Sequence, residues 1–314
     1  MIELIKDTNI DFIGKRKYAF AVTAVLSLLG IIGFIQIALG KANLGLDFVG
    51  GTAVQIKFAQ SVPLHEVRVT LEQSGFKDFD LQDLPSENKM LIKTKKQEGE
   101  IGSASEKIVK ILTEKFFDKK PVIDSTTEIG PKVGAKLRRD ALWAIVWATL
   151  GILGYIAWRF QFRFGVAATV ATLHDILAVL GLLYVLGTEM NLIVLSALLT
   201  IAGYSLTDTV VVFDRIRENM KIAVRESTES IINRSVNEVL SRTIITSLTT
   251  FFAALALFLF GGEVLHDFSM AMLLGIIIGT YSSVFVASPI LVLLGKVRQK
   301  KSGKKFGHSV KLCL

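Results

Sequence analysis

The sequence predicts a membrane α-helical bundle with six transmembrane helices plus a small α+β, ferredoxin-like extracytoplasmic domain. Three observations predict it. The 314 residues have a mean hydropathy of +0.51 and are 51% hydrophobic, more apolar than a soluble protein of ordinary composition. Six apolar stretches approach the roughly 20 helical residues that cross a hydrocarbon core about 30 Å thick. One polar segment, 40–140, separates the first stretch from the other five and carries its own strand and helix pattern.

Residues 1–17 are an N-terminal segment, expected to be cytoplasmic, that ends in Lys15, Arg16 and Lys17 and is followed by the first span at 18–39. Ala38 and Gly40 loosely resemble a small-x-small cleavage site, but the apolar run is too long for a signal-peptide core, so an uncleaved span is expected. Within 141–294 the other five spans run from Ala141 to Ala157, Phe164 to Leu186, Leu192 to Phe213, Thr243 to Phe260 and Phe268 to Leu294. Segment 214–241 is charged but periodic, with Ile231, Ile232, Val236, Val239 and Leu240 spaced for one helical face. It is expected to lie along the inner membrane surface as an amphipathic segment. A basic tail fills 295–314, and the only cysteine, Cys313, excludes an internal disulfide.

The net charge of +8 is distributed as in a membrane protein rather than a nucleic-acid binder. Under this topology the 19 Lys and Arg outside Lys41–Asp140 all lie on one side, which makes that side and both termini cytoplasmic. The loops on the other face, Gly187–Asn191 and Gly261–Asp267, contain neither Lys nor Arg. Arg138 and Arg139 are local exceptions beside a long translocated segment, where charge rules act weakly. Basic clusters next to a bilayer meet anionic lipid headgroups.

In 40–140, Thr52–Phe58 alternates like a strand, Leu64–Gln73 has helical spacing, and Phe79–Leu84 and Met90–Thr94 read as strands. Ser103–Phe117 reads as a helix and Val122–Ile129 as a last strand, giving the order βαββαβ. At the opening of the domain, the glycines of Gly45–Thr52 permit positive φ or close backbone approach, and Asp47 is suited to bonding the turn. No nucleophile or metal-ligand constellation appears, so no catalysis is assigned to the domain.

Ionisable side chains inside spans are costly in hydrocarbon and face a bundle interior or water, so each is a functional candidate. His174 and Asp175 fall near the middle of the third span, Asp208 lies in the cytoplasmic half of the fourth, and Arg242 opens the fifth. Tyr204 and Ser205 precede Asp208 at spacings that share its helical face. Arg242, Thr246, Thr249 and Thr250 draw a polar stripe expected to face the fourth span or a hydrated cleft. An Asp208 that exchanges a proton would attract Arg242 and water when ionised, and favour another helix packing when neutral. Plainer readings stand beside this one: Arg242 snorkelling to the interface, and Asp208 as a static partner. His174 and Asp175 point about 100° apart and suit a static hydrogen-bonded role as well as a relay. Gly275, Gly279, Ser282 and Ser283 read as close helix packing.

Several motifs follow one another along the chain: Gly45-Leu46-Asp47-Phe48-Val49-Gly50-Gly51, Ile129-Gly130-Pro131-Lys132-Val133-Gly134 with Leu137-Arg138, and His174-Asp175. Gly203-Tyr204-Ser205, Asp208 through Asn219, and Ser241-Arg242-Thr243 with Thr246-Ser247 complete the series. With these motifs the chain resembles, over nearly its whole length, the SecF family of the resistance-nodulation-division superfamily. The resemblance implies a bacterial inner-membrane subunit that pairs with SecD beside the SecYEG channel, with SecA and YajC in the wider complex. It also implies use of the proton-motive force to help complete export of unfolded polypeptides, with no cofactor, no metal and no hydrolytic chemistry in this chain. By motif position, Asp208 and Arg242 correspond to the proton pathway, supported by His174, Asp175, Tyr204, Ser205, Thr207 and Thr246. Asp47, Gly50 and Gly51 correspond to the motif at the domain opening. Thr207 departs from the family pattern, which more often has Asn there; a hydroxyl is kept and an amide lost.

Three other functions compete. A proton-coupled small-molecule or lipid exporter needs larger outside domains and a double set of spans. A membrane scaffold leaves Asp208 and the polar stripe without a purpose, and an intramembrane enzyme lacks a nucleophile with matched partners.

Overall fold

The computed structural model describes residues 8–76, 79–84, 88–95, 104–223 and 225–294; the basic tail read at 295–314 lies outside the described residues. In chain order the elements are α1 (Arg16–Ala38), α2 (Leu46–Val49), β1 (Gly51–Lys57), α3 (Leu64–Gln73), β2 (Phe79–Leu84), β3 (Lys89–Lys95), α4 (Ala104–Lys115) and β4 (Val122–Ile129). They continue as α5 (Pro131–Arg159), α6 (Phe162–Val185), α7 (Leu192–Ile222), α8 (Thr228–Phe260) and α9 (Gly262–Ser282), the last running on through a π-helical turn, Ser283–Ala287. Six helices among the described residues are long and apolar enough to cross a membrane. The chain divides into two compact units. One is Asn43–Trp143 with Glu189–Leu192; the other holds Ala144–Thr188 and the described parts of Met1–Ala42 and Ile193–Leu314.

In the sheet-bearing unit the strand order is β2-β3-β1-β4 and every pairing is antiparallel. Alternation in the strands turns Val54 and Ile56 of β1, and Met90 and Ile92 of β3, to one face. Helix α3 supplies Val67 and Leu71 at i, i+4, and α4 supplies Ile108 and Leu112 at the same spacing, closing the core over that face. β4 is an edge strand, exposed along most of its length.

In the helical unit, α1 crosses α6 backbone to backbone. A Cβ on Gly30 would lie 2.1 Å from the Leu177 carbonyl oxygen, and one on Gly181 would lie 2.5 Å from the Gly30 nitrogen. With little hydrophobic force between helices in lipid, such small-residue crossings allow the close packing that holds a bundle together. Phe213 packs edge-on to Phe164 with ring centroids 5.2 Å apart, within a core that includes Phe12 and Ile13 from the N-terminal segment. Two asparagines one turn apart on α8 hold that segment. Asn233 accepts from the Phe12 amide at 2.9 Å, Asn237 accepts from the Ile10 amide at 3.0 Å, and both side-chain amides donate to the Ile10 carbonyl.

Segment 214–241, expected as one amphipathic segment, is shared between two long helices. α7 continues to Ile222 and α8 begins at Thr228, with Ser227 accepting from the Ser230 amide as its cap, so all but a short turn extends the two spans. The predicted apolar face exists, but Ile232, Val236 and Leu240 bury it in the same core as Phe213 and Ile216, and Ile231 is buried as well. Polar bonds close the pair: Arg215 donates to Glu238 at 2.6 Å, and Asn219 donates to Ser235 at 2.9 Å. The second span also starts earlier than predicted, because Pro131 opens α5 at the first helical position, where its missing N–H costs nothing.

Candidate functional site

Asp208 lies on α7 within the helical unit and is only 8% exposed. Its Oδ2 accepts a hydrogen bond of 3.0 Å from the Ser283 hydroxyl, at the first residue of the π-helical turn. Pro289 explains that turn. It has no N–H to donate and crowds the carbonyl four residues back, so the helix widens ahead of it, and the Ser288 hydroxyl donates to the Ser283 carbonyl at 3.0 Å. Thr243 of α8 stands beside the Asp208 carboxyl, its hydroxyl buried and without a hydrogen bond of regular geometry. Arg242 is near enough for its charge to act on the carboxyl, but among the described residues the two form no ion pair.

A second carboxyl, Asp175 of α6, is completely buried. Its Oδ1 is 2.9 Å from His174 Nδ1, so the adjacent side chains meet although they leave the helix about 100° apart. Its Oδ2 accepts from the Ser205 hydroxyl of α7, and Ser282 of α9 approaches the same carboxyl. α9 comes this close to α7 because of its glycines. A Cβ on Gly279 would lie 3.1 Å from the Ser205 Cβ, and one on Gly275 would overlap Ile201 at 2.4 Å. The four residues read from sequence as packing alone therefore divide: Gly275 and Gly279 pack, while Ser282 and Ser283 address the two acids. Pro289 so soon after the serines was the signal available for this.

The polar stripe on α8 lies one residue away from the face that meets Asp208. Arg242, Thr246 and Thr249 are exposed on this chain, and the hydroxyls of Thr246, Thr249 and Thr250 donate to carbonyls of their own helix. Thr243 and Ser247 face inward instead, with Ser247 2.7 Å from the Thr280 hydroxyl of α9. Of the two surroundings expected for the stripe, the fourth span and a hydrated cleft, it does not meet the first on this chain, because a step of one residue turns a side chain by about 100°. Thr207 is also exposed, and its hydroxyl donates to the Gly203 carbonyl at 3.0 Å, so it takes no part in the bonding of Asp208. Tyr204 is half-buried, with its hydroxyl unpartnered.

In the sheet-bearing unit the motif at the domain opening makes close backbone contacts. Gly50 has φ +82° and sits where a Cβ would lie 2.9 Å from Pro131 Cα, and a Cβ on Gly134 would lie 2.9 Å from the Gly50 nitrogen. Gly51 follows at φ +153°. The two glycine motifs thus pack on each other, a close approach that side chains at these positions would prevent. Asp47 Oδ2 accepts from the Leu192 amide at 3.0 Å, the first residue of α7. Residue Glu189 pairs with Lys93, and the Met190 amide donates to the Asn43 carbonyl at 2.8 Å. Replacing Asp47 by Ala removes the side-chain acceptor of an otherwise orphaned N–H, an expected loss of about 1 kcal/mol. Hydrogen exchange at Leu192 in the full chain checks it, with about fivefold faster exchange expected if opening is local.

Among the described residues, no group of three or more His, Cys, Asp or Glu side chains is placed to hold a metal ion. A family model described as "Protein export membrane protein SecD/SecF, C-terminal" matches residues 108–297, and one described as "SecD/SecF GG Motif" matches 41–62. The protein translocase subunit SecF of Thermodesulfovibrio yellowstonii is 60% identical over 298 residues, covering 94% of this chain and 98% of that one. The SecF of Calditerrivibrio nitroreducens is 40% identical, covering 95% and 99%. The crystal structure of SecDF, a translocon-associated membrane protein from Thermus thermophilus, superposes with a TM-score of 0.79 at 36% identity. A super-membrane-facing form of SecDF gives 0.71 at 35%. These matches cover 92% and 96% of this chain, which spans 39% and 41% of the two solved chains.

Proposed function

Because the chain belongs to the SecD/SecF family of protein-export membrane proteins, we propose that it is the SecF-type half of a proton-driven export unit. Paired with a SecD-type chain beside the SecYEG channel, with SecA and YajC in the wider complex, it draws on the proton-motive force to help complete transfer of unfolded polypeptides. It sits in the bacterial inner membrane with both termini cytoplasmic, and its sheet-bearing unit is a ferredoxin-like domain on the other side. The order β2-β3-β1-β4 with two helices on one face supports that reading of the domain.

The observation that carries the proposal is the buried Asp208, held by a hydroxyl of α9 and standing beside Thr243 and Arg242 of α8. Ionised, the carboxyl accepts from Ser283 and is drawn to the Arg242 charge. Protonated, it loses that attraction and gains a donor, so the packing of α7, α8 and α9 that suits one state does not suit the other. One charge moving through 100 mV supplies about 2.3 kcal/mol, enough to shift a two-state packing equilibrium roughly fiftyfold. Vesicles holding the chain, its SecD-type partner, SecYEG and SecA test it. An imposed proton gradient is expected to speed completion of transfer, and an uncoupler to return the rate to that of vesicles lacking the pair. Equal rates with and without the pair under the gradient would overturn the proposal.

A further inference from the structure

We infer that Asp175 is a second proton-binding carboxyl of the helical unit, coupled to Asp208 through Ser205 and the adjacent serines Ser282 and Ser283, an inference that rests on the proton-driven reading of Asp208. Asp175 is fully buried, and no Lys or Arg pairs with it among the described residues. A carboxylate so placed must be well satisfied by hydrogen bonds or carry a proton. The groups that face it are His174 on its own helix, Ser205 on α7 and Ser282 on α9; His174 is the only titratable one. The site is not fully satisfied: His174 Nε2 is buried without a partner, and the Ser282 hydroxyl, though it approaches the carboxyl, makes no hydrogen bond of regular geometry. Native interiors pair almost all such atoms, so leftover polar atoms beside a carboxyl mark a place built for more than one bonding pattern.

The link to Asp208 lies in two helices that serve both acids. On α7, Ser205 donates to Asp175 and stands one turn before Asp208 itself. On α9, Ser282 approaches Asp175 and Ser283 donates to Asp208, and these neighbours mark the start of the π-helical turn. Asp208 is faced in addition by Thr243 and Arg242 of α8. When Asp175 takes a proton from water, the new O–H becomes a donor towards Ser205 or His174. The partner hydroxyl or ring must turn, and the proton returns to water when the carboxyl ionises again. No other bond is made or broken. Because Ser205 and Asp208 ride on one helix, reorganisation at one acid changes the packing offered to the other.

Infrared spectroscopy of the full chain in lipid nanodiscs, stepped through pH, reads the C=O stretch of protonated buried carboxyls. Two components are expected in the wild type. Asp175→Asn should remove one, Asp208→Asn the other, and Ser205→Ala should keep both while displacing the half-titration point of the Asp175 component. An unchanged spectrum in Asp175→Asn overturns the inference and leaves the Asp208 reading standing. Loss on Asp175→Asn with no loss on Asp208→Asn supports Asp175 and overturns the parent reading. If Asp175→Asn does not fold, Ser205→Ala decides, since an undisplaced component overturns the inference.

Discussion

Replacing Asp208 by Asn removes the whole proton-dependent part of translocation in vesicles containing the chain, its SecD-type partner and the channel, while the complex still assembles. Asn has nearly the same shape, and its amide oxygen can still accept from Ser283, which donates to Asp208 at 3.0 Å. What it cannot do is change charge, so the helices keep one packing whatever the gradient. The rate with a proton gradient should fall to the rate measured with an uncoupler, and the uncoupled rate should be unaltered. Folding should be nearly untouched, because a neutral amide is easier to bury than a carboxylate at a site only 8% exposed. Undiminished proton dependence in this variant would assign Asp208 to static packing and favour a scaffold.

Gly30→Leu is expected to prevent assembly of the helical unit. A Cβ at this position would lie 2.1 Å from the carbonyl oxygen of Leu177, which is backbone and cannot swing aside. Ordinary overpacking costs about 1–3 kcal/mol because side chains can adjust; here α1 must lift away from α6, and the expected cost exceeds that range. Gly33→Ala makes the contrast, since its Cβ would meet the Tyr184 side chain at 3.2 Å, a contact that a few tenths of an ångström relieves. Thermal unfolding in detergent should show Gly33→Ala close to wild type and Gly30→Leu without a cooperative transition. Equal behaviour of the two would place the α1 crossing elsewhere.

The local structure was legible wherever one period dominated. The strands Phe79–Leu84 and Val122–Ile129 and the helix Leu64–Gln73 have the bounds that alternation and helical spacing predict. The six spans were legible from length and apolarity, and Leu192 and Phe260 end α7 and α8 where hydropathy puts them, but the opposite ends of those two helices were not legible. Hydropathy marks where lipid stops, whereas α7 and α8 stop where their hydrogen bonds and caps do, several turns further on. The same confusion of environments assigned Ile231, Ile232 and Val236 to lipid, because an apolar helical face looks alike whether protein or bilayer covers it. At the site, the acids were legible because charge in a span is rare, and Ser205 because it lies one turn from Asp208. Ser282 and Ser283 were not, since a serine near glycines fits packing equally well and only the turn ahead of Pro289 presents the pair to two different helices. Periodicity puts Arg242, Thr246 and Thr249 on one face of α8, but it does not fix which neighbour that face meets.

The clamp of Asn233 and Asn237 on residues 10–13 joins positions more than 200 apart in the chain. During synthesis the first helix is made early, yet the groups that fix its leading end follow more than 200 residues later. Until then residues 10–13 lack these partners, and non-local closure of this kind is slow. A ribosome that stalls before α8 therefore leaves residues 10–13 without the two asparagines that hold them.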